Sequence, residues 1–413
     1  MKSHLIKTML IFFVLVLNAA AGEWDNAAFL TVERAGASAV VWQNKIYVFG
    51  GKSINNSVLN SVEIYDPTTM MWDSTIVAPF SQPRYNAGAV IWDNKIYLLG
   101  GRTINDVLAN VEIYDPAQNT WTTAQDLRKA REGHSACAFN DRIYAIGGQK
   151  GHYELIDEIE WFDAGKQDWE AAIFDLPHER SAHFSAVYDD EYFMFGGYYW
   201  GLTKSIYKAR RDSSGYVWEN IGELSEPRAY GSTARIDSLI FIIAGETSEG
   251  KTNLVEIFNA KTGELTRGDD MNMSHSGMAT AVLNNQIYAL GGYEAYSNNP
   301  IRHVHRYTPN LTAVSENDHI VRDNALHIST FPNPFRDHLK ISITSPQEQL
   351  TQAVVVNSRG QFIRKLTLLK HIGDVITEWD GRDQNGRDVA SGVYLIIVET
   401  NTKTKVQKVT YVK

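Results

Sequence analysis

The chain has 413 residues, of which 44% are hydrophobic and 21% are charged, and its formal net charge is −9. This composition excludes a disordered chain, and the length favours two domains over one. An acidic chain is a poor partner for nucleic acid or for an anionic membrane surface, so we expect neither. The single cysteine, Cys137, has no partner for an intramolecular disulfide.

The N-terminal segment predicts a signal peptide over residues 1–21. Lys2 and Lys7 precede an apolar run from Met9 to Leu17, and three alanines, 19–21, follow it. Nine apolar residues are too few to span a bilayer, and the small residues suit a signal peptidase. Cleavage after Ala21 would change the formal net charge from −9 to −11. No later run of 18 apolar residues occurs, so we predict no transmembrane anchor.

Three markers then recur together with a period near 50 residues, which indicates a repeat protein. The first is a pair of small residues: Gly50-Gly51, Gly100-Gly101, Gly147-Gly148, Gly196-Gly197, Ala244-Gly245 and Gly291-Gly292. The second, which we call the marker residue, lies 16 residues before each pair: Arg34, Arg84, Arg131, Arg180, Arg228 and His275. The third lies ten to twelve residues earlier: Trp24, Trp72, Trp121, Trp169, Trp218 and Leu265. These series predict six similar units over residues 22–309.

Each unit contains four short alternating segments joined by turn formers, which predicts a four-stranded antiparallel meander. The double glycine, the Tyr-Asp-Pro of residues 65–67 and the trailing tryptophan resemble the kelch repeat. This resemblance implies that each unit is one blade of a six-bladed β-propeller. Trp24 has no third strand before it, and the last third strand, His303 to Tyr307, has no tryptophan after it. We therefore expect a strand near residues 23–27 to complete the sixth blade.

The C-terminal region predicts a linker over residues 310–325 and a small β-sandwich over residues 326–413, because a polar stretch is followed by alternating apolar runs. Overall we expect an all-β chain, a six-bladed kelch propeller followed by a small immunoglobulin-like sandwich. The second domain resembles the type A C-terminal sorting domain of the type IX secretion system of Bacteroidota. The residues that carry this resemblance are Phe331-Pro-Asn-Pro-Phe335, Trp379-Asp-Gly-Arg-Asp383, Asn385-Gly386, Ser391-Gly-Val-Tyr394 and the tail from Lys408 to Lys413. It implies Sec export, passage across an outer membrane through the secretion machinery, and a secreted or cell-surface product. A sugar-binding sandwich is the alternative.

Each candidate catalytic or metal-ligating residue has a packing role as its alternative. A kelch propeller of the galactose oxidase type binds copper through Tyr and His and cross-links a Tyr to Cys, but Cys137 occupies an apolar slot that is small in every unit, which favours a packed thiol. His134 and His183 favour packing, and His303 and His305 favour substitution within the repeat over a metal site. No phosphate loop, nucleophile elbow or zinc-protease motif occurs. We predict no catalytic residue, no metal and no cofactor.

The recurring marker arginines and the glutamates at 63, 112, 160 and 256 predict ion pairs between blades. Function should lie where the repeat symmetry breaks, in the loops that follow the double glycine and the marker residue. In kelch propellers these loops line the mouth of the central channel, and their aromatic, cationic and amide groups suit a glycan or a protein ligand. The candidate ligand-binding residues are Lys52, Tyr85, Arg102, Glu132, Gln149, Ser181, Tyr198, Tyr199, Trp200, Glu246 and Tyr293. Two alternatives remain: a carbohydrate-active enzyme that resembles the kelch-type sialic acid epimerases and uses Glu132 or Glu246, and a purely structural surface protein.

Overall fold

The computed structural model describes residues 22–309 except 141, 173, 213–214 and 296, and residues 327–413 except 332–334, 337, 345–349, 358–359, 368, 372–373 and 401–403. The predicted signal peptide (1–21) and linker (310–325) therefore lie outside the described residues, as do positions 332–334 of the Phe-Pro-Asn-Pro-Phe motif. The chain divides into two compact units, Met1–Glu316 and Asn317–Lys413. No helix in the described ranges is long and apolar enough to cross a bilayer.

The first unit consists of six antiparallel sheets, which confirms the predicted six-bladed propeller. A first strand, β1 (Gly22–Asn26), precedes the blades. Blade one contains β2 (Ser38–Trp42), β3 (Lys45–Phe49), β4 (Val62–Asp66) and β5 (Met71–Asp73). Blade two contains β6 (Gly88–Trp92), β7 (Lys95–Leu99), β8 (Val111–Asp115) and β9 (Thr120–Thr123). Blade three contains β10 (Ser135–Phe139), β11 (Arg142–Ile146), β12 (Ile159–Asp163) and β13 (Asp168–Ala171).

The last three blades differ more from one another in the length and number of their strands. Blade four contains β14 (Phe184–Tyr188), β15 (Glu191–Phe195), β16 (Ser205–Asp212) and β17 (Gly215–Glu223). Blade five contains β18 (Ser232–Ile236), β19 (Leu239–Thr247), β20 (Gly250–Asn259) and β21 (Leu265–Arg267), and β20 also pairs with the short β22 (His275–Ser276). Blade six contains β23 (Ala279–Leu283), β24 (Gln286–Leu290) and β26 (Val304–Pro309), and β25 (Tyr293–Glu294) pairs with β22.

The second strand of each blade forms the core, because a neighbouring blade covers each of its faces. In β7, for example, Ile96, Tyr97, Leu98 and Leu99 are all buried. The hairpin before it turns on Asp93 and Asn94, which have φ values of 48° and 57°. Two left-handed residues form the tight turn whose twist matches that of the flanking strands. This hairpin is the form that the residue pair at 93–94 predicts.

The N-terminal strand closes the ring, as predicted. β1 pairs with β26 in antiparallel register, and Trp24 lies opposite Tyr307 with ring centroids 5.0 Å apart. The indole Nε1 of Trp24 donates to the carbonyl of Asp269 at 2.9 Å, and Asp25 forms an ion pair with Arg306. The outermost strand of blade six thus comes from the opposite end of the propeller sequence, and it covers an edge that would otherwise be open.

A second closure runs around the central channel through the backbone. Six equivalent residues, one per blade, each donate an N–H to the carbonyl of the equivalent residue in the preceding blade, at 2.7 to 3.1 Å. We call them the inner ring: Gly36, Asn86, Gly133, Ala182, Tyr230 and Gly277. All six have φ between 49° and 63°, the left-handed region that favours glycine. Tyr230 is the one large side chain among them.

In four blades the marker arginine pairs with a glutamate of its own blade, and this corrects the predicted pairing between blades. Arg131 contacts Glu160 of its own blade at 2.5 Å, and both side chains are fully buried. Arg131 also donates to the carbonyl of Gly147 at 2.7 Å, while Glu160 accepts from the backbone N–H groups of Arg128 and Lys129. The same ion pair forms in three other blades: Arg34 with Glu63, Arg84 with Glu112, and Arg228 with Glu256. The repeat spacing showed that these arginines and glutamates recur, but not which glutamate each arginine contacts.

The second unit is a sandwich of two four-stranded antiparallel sheets, as predicted. One sheet contains β27 (His327–Phe331), β28 (Leu339–Thr344), β31 (Leu369–His371) and β32 (Asp374–Trp379), and the other contains β29 (Leu350–Asn357), β30 (Phe362–Lys365), β33 (Gly392–Thr400) and β34 (Thr404–Tyr411). Phe335, Trp379, Tyr394 and Tyr411 meet in its core. The motif residues of this unit therefore pack against one another.

Candidate functional site

The predicted loop positions come together in pairs at one end of the channel. In each blade the residue after the marker residue forms an isolated antiparallel bridge with the residue after the double glycine. We call these twelve residues the mouth: Ala35 and Lys52, Tyr85 and Arg102, Glu132 and Gln149, Ser181 and Tyr198, Ala229 and Glu246, and Ser276 and Tyr293. The first residue of each pair directly precedes an inner-ring residue in the chain, so a frame of backbone hydrogen bonds holds the mouth.

A continuous network joins mouth residues of blades two, three and four. Arg102 donates to Glu132 Oε1 at 2.8 Å, and Gln149 donates to the same oxygen at 3.3 Å. Asn86 of the inner ring donates to the other carboxylate oxygen at 3.0 Å, and Ser181 donates to Gln149 at 3.2 Å. Glu132 is only 3% exposed. Its carboxylate is therefore engaged by three side chains, which fixes the position of Arg102.

Aromatic side chains surround this network. The guanidinium of Arg102 and the amine of Lys52 lie 5.8 and 5.9 Å from the ring centroid of Tyr85, within range of cation–π attraction. Burial raises the pKa of Tyr85 and of Tyr293, and the nearby Tyr85 raises that of Tyr293 further. Both phenols are protonated at neutral pH, so each can donate a hydrogen bond to a ligand.

The opposite side of the mouth is less crowded. Glu246 accepts from the hydroxyl of Ser276 at 2.8 Å. Burial raises the pKa of Tyr230, and the nearby carboxylates of Glu246 and Glu132 raise it further. Tyr230 is therefore influenced by acidic groups from both blade three and blade five.

The predicted aromatic cluster at residues 198–200 is divided by the structure. Tyr198 belongs to the mouth, whereas the Tyr199 ring stacks on His178 with centroids 5.0 Å apart. Trp200 is 75% exposed, and its Nε1 donates to Glu179 at 3.0 Å. Tyr198 is the member of this cluster that shares the mouth with the other candidates.

The sequence analysis did not identify two tyrosines of this region, Tyr230 and Tyr153. Tyr230 occupies an inner-ring position where three other blades have glycine, and the sequence analysis named no candidate at that position. Tyr153 ends a short helical turn, Gly151–Tyr153, and is 75% exposed. Burial is the main cause that raises the pKa of Tyr85 and of Tyr230, from blades two and five, and Tyr153 adds a small contribution to both shifts. The signal that could have identified Tyr230 is a bulky residue in a slot that otherwise holds Gly, Ala or Asn.

Next to the inner ring, the channel contains a cavity of about 320 Å³. Its lining comes from all six blades and consists mainly of Gly, Ala, Ser and Thr, together with His134 and His183. Burial lowers the pKa of His134 well below its usual value and that of His183 to about 3, so both imidazoles are neutral at pH 7. His183 contacts the Tyr192 hydroxyl at 3.0 Å, and His134 packs close to Gly88 and Gly100 of the preceding blade. Cys137 packs in the apolar cluster between blades three and four. These contacts agree with the packing roles predicted for the three residues.

Comparisons with known proteins identify the repeats. Residues 12–200 match the model of the KLHDC2/KLHL20/DRC7 Kelch-repeats domain, and residues 274–310 match the Kelch motif. The chain is a kelch-repeat protein.

This kelch protein is similar to curated proteins over part of their length. It is 29% identical to Spermatocyte protein spe-26 of Caenorhabditis elegans, over 37% of this chain and 28% of that protein. It is 24% identical to Kelch-like protein 23 of Homo sapiens, over 64% of this chain and 47% of that protein. It is also 24% identical to Alpha-scruin of Limulus polyphemus, over 51% of this chain and 23% of that protein. The chain thus spans between about a quarter and a half of the relatives it matches.

Two further likenesses concern the fold. The kelch chain superimposes on the solved structure of YjhT with a TM-score of 0.59 and 16% identity, covering 67% of this chain and 95% of that one. Residues 335–404 match the model of the FlgD Ig-like domain. Both likenesses agree with the propeller and sandwich described above.

Blade six of the kelch propeller departs from its siblings at the marker pair. His275 stands in the arginine slot and His305 in the glutamate slot, and Glu294 enters from β25. Glu294 Oε1 lies 3.4 Å from Nε2 of His275, 3.4 Å from Nε2 of His305 and 2.6 Å from Nδ1 of His303. Burial lowers the pKa of His275 to about 4. The sequence analysis identified His303 and His305 by their spacing. It did not predict that His275 and Glu294 would lie next to them.

Proposed function

We propose that the chain is a secreted or cell-surface binding module whose kelch propeller holds a glycan or a protein ligand at the mouth. The observation that carries the proposal is the convergence of tyrosines from different blades on one charged network. Tyr85, Tyr198 and Tyr293 belong to mouth pairs of three different blades, and the Tyr85 ring lies 5.8 Å from the guanidinium of Arg102, which pairs with Glu132. The kelch relatives support a protein-binding role in the general sense.

A glycan fits this chemistry best. Aromatic rings offer flat apolar faces on which sugar rings stack, and their hydroxyls add hydrogen bonds. Arg102 and Gln149 supply further donors, and their positions are fixed by Glu132. A concave site with apolar rings and a few oriented polar groups is the usual form of a small-ligand pocket.

The test is a glycan array probed with residues 22–413. We expect selective binding that Tyr230→Ala weakens by about 1–3 kcal/mol, the range for truncation of an anchoring aromatic side chain. The matched control is Asn94→Gly, which keeps the left-handed turn at the tip of a hairpin remote from the mouth. Binding that survives Tyr230→Ala but fails with Asn94→Gly would place the site at the wrong end. If the folded chain binds no glycan on the array, the glycan part of the proposal is wrong and a protein ligand remains.

The enzymatic alternative depends on Glu246. Its carboxylate contacts Ser276 and lies near Tyr230, whereas Glu132 is engaged by three donors. A carbohydrate-active enzyme would convert a bound sugar, and NMR of the mixture would show a change of stereochemistry that Glu246→Gln abolishes. An unchanged spectrum with a bound sugar would support the binding module.

Export is the second part of the proposal. The resemblance of residues 326–413 to type IX sorting domains supports passage across an outer membrane after Sec export. Phe335, Trp379 and Tyr411 from its motifs form one aromatic core, so the resemblance rests on residues that fold together. In a Bacteroidota host, a chain that lacks residues 326–413 should remain in the periplasm while the full chain reaches the medium or the surface. Equal amounts of both chains outside the cell would contradict the assignment.

A further inference from the structure

We propose that blade six contains a binding site for a divalent transition-metal ion of the Zn²⁺ type, formed by His275, Glu294 and His305. Their nearest ligand atoms, two imidazole nitrogens and one carboxylate oxygen, lie within 4.8 Å of one another. The site is independent of the ligand proposed for the mouth.

The first argument is the orientation of His275. Its side chain is fully buried, and its Nδ1 lies 3.1 Å from the carbonyl of Met273, so Nδ1 carries the proton and donates it. In the neutral ring the other nitrogen, Nε2, then carries a lone pair that is free to bind a cation. It has no hydrogen-bond partner, and it lies 3.4 Å from the carboxylate of Glu294. Two acceptors that face each other repel unless a cation lies between them.

The second argument is charge. Four other blades fill the equivalent slots with arginine and glutamate, which balance each other. In blade six both slots hold histidine, so no arginine lies beside the carboxylate of Glu294, and its neighbours are the imidazoles of His275, His303 and His305. Buried charge is costly without a partner. A bound divalent cation supplies the positive charge that the replaced arginine supplies elsewhere.

The ligand types select the metal. Imidazole nitrogen with carboxylate oxygen suits Zn²⁺, whereas Mg²⁺ and Ca²⁺ prefer all-oxygen sites. Zinc–ligand bonds of about 2.0–2.1 Å in a tetrahedron separate neighbouring ligand atoms by about 3.3 Å. Both contacts of Glu294 with these histidines, at 3.4 Å, already have this separation.

The surroundings supply the outer contacts that such sites use. His303 Nδ1 lies 2.6 Å from Glu294 and orients the carboxylate, as Met273 orients His275. The His303 side chain is 41% exposed, so the cluster has a route to solvent. His275 and Glu294 pair through β22 and β25, and the next residues in this register are Ser276 and Tyr293 of the mouth. His305 lies on β26, the strand that β1 covers. The ion would therefore tie the closing blade to the mouth.

The test uses residues 22–413 stripped with a chelator and titrated with ZnCl₂ by calorimetry, with bound metal counted by mass spectrometry. We expect about one equivalent of zinc and a rise in melting temperature of about 5 °C at saturating zinc. Mg²⁺ at the same concentration should leave the melting temperature unchanged.

The decisive variant is His275→Arg with His305→Glu, because it places in blade six the ion pair that four other blades use. It should fold, lose the equivalent of zinc, and melt at the same temperature with and without zinc. Glu294→Gln provides a second variant that keeps the shape of the side chain, and it should weaken zinc binding by about 10–100-fold. His152→Ala, at an exposed histidine, should bind zinc as the unchanged chain does. A full chain that binds no zinc, or a Glu294→Gln chain that binds it unchanged, would overturn the proposal.

Discussion

Arg131 and Glu132 are neighbours in the chain but belong to two different regions of the propeller. Arg131 pairs with Glu160 of its own blade, and the same contact recurs in three other blades. Glu132 pairs with Arg102 of the preceding blade, and its partners Asn86 and Gln149 form a set that no other mouth glutamate has among the described residues. The first contact solves a packing problem that each blade shares. The second occurs once, as a specific binding site requires.

If the mouth binds a ligand as proposed, this comparison separates stability from recognition at the scale of single residues. Framework side chains are buried, they pair within a blade, and they fix the segment that enters it. Mouth side chains meet partners from neighbouring blades, and the inner ring holds their backbone. Substitutions in the two regions should therefore have different consequences, and the following predictions test that difference from the largest effect to the smallest.

Deletion of residues 23–33 should have the largest effect on stability. It removes β1 with Trp24, whose ring packs on Tyr307, and it exposes the edge of β26. Loss of a buried tryptophan alone costs about 3–5 kcal/mol, and the lost strand pairing adds to it. Thermal unfolding should show a markedly lower melting temperature, whereas Glu23→Ala, at an exposed position of β1, should leave it unchanged. An unaltered melting curve after the deletion would show that β1 does not close the ring.

Glu160→Ala should cost about 3–5 kcal/mol of unfolding free energy, because it leaves Arg131 buried without a countercharge. It also removes the acceptor for the backbone N–H groups of Arg128 and Lys129. The matched control is Glu158→Ala, two residues earlier, where a partly exposed pair with Lys129 at 2.9 Å is lost. That change should cost at most about 1 kcal/mol. Denaturant titration of the two variants checks the contrast, and equal losses would contradict the framework role.

The buried His134 should make the propeller sensitive to mild acid. Burial holds its pKa well below the unfolded value of 6.5, so the unfolded chain takes up a proton first as the pH falls. The stability is complete above pH 6.5 and falls below it by about 1.4 kcal/mol per pH unit for this group. His134→Ala, which copies Ala37 and Ala87 of two other blades, should reduce the slope between about pH 6.5 and 4.5, above the range of ordinary carboxylates.

The control for this acid effect is Met278→Ala, which truncates the equivalent position of blade six and removes no titratable group. Its slope should equal that of the unchanged chain. A slope that His134→Ala does not alter would show that His134 takes up its proton equally in the folded and unfolded chains.

Within the 198–200 segment, Tyr198→Ala should weaken ligand binding by about 1–3 kcal/mol, while Trp200→Ala should change it by less than about 0.5 kcal/mol. Tyr198 bridges Ser181 at the mouth, whereas Trp200 reaches Glu179 and is largely exposed. Calorimetry with the strongest ligand from the glycan array measures both. A larger effect at Trp200 would move the site outward from the channel.

Much of the architecture could be predicted because the sequence pattern of one blade recurs six times. The spacing of the double glycine and the marker residue placed each blade, even where Ala244 and His275 replace the usual residues. The mouth positions followed from the same alignment. Side-chain contacts between repeat positions could not be predicted, because the repeat shows which residues recur but not which of them contact each other. Glu294 is the clearest case, since it lies in the slot of Ser53 and Thr103, which carries no charge in those blades.

The most direct test of the central claim is Tyr230→Gly, measured for stability and for binding in the same preparation. Tyr230 holds a left-handed conformation with φ of 57°, which glycine adopts without strain, and its side chain is 38% exposed at the mouth. The account predicts that unfolding free energy stays level or rises by up to about 1 kcal/mol, while affinity for the array ligand falls about 10–100-fold. A variant that loses stability and binds its ligand unchanged would contradict it, because Tyr230 would then belong to the framework.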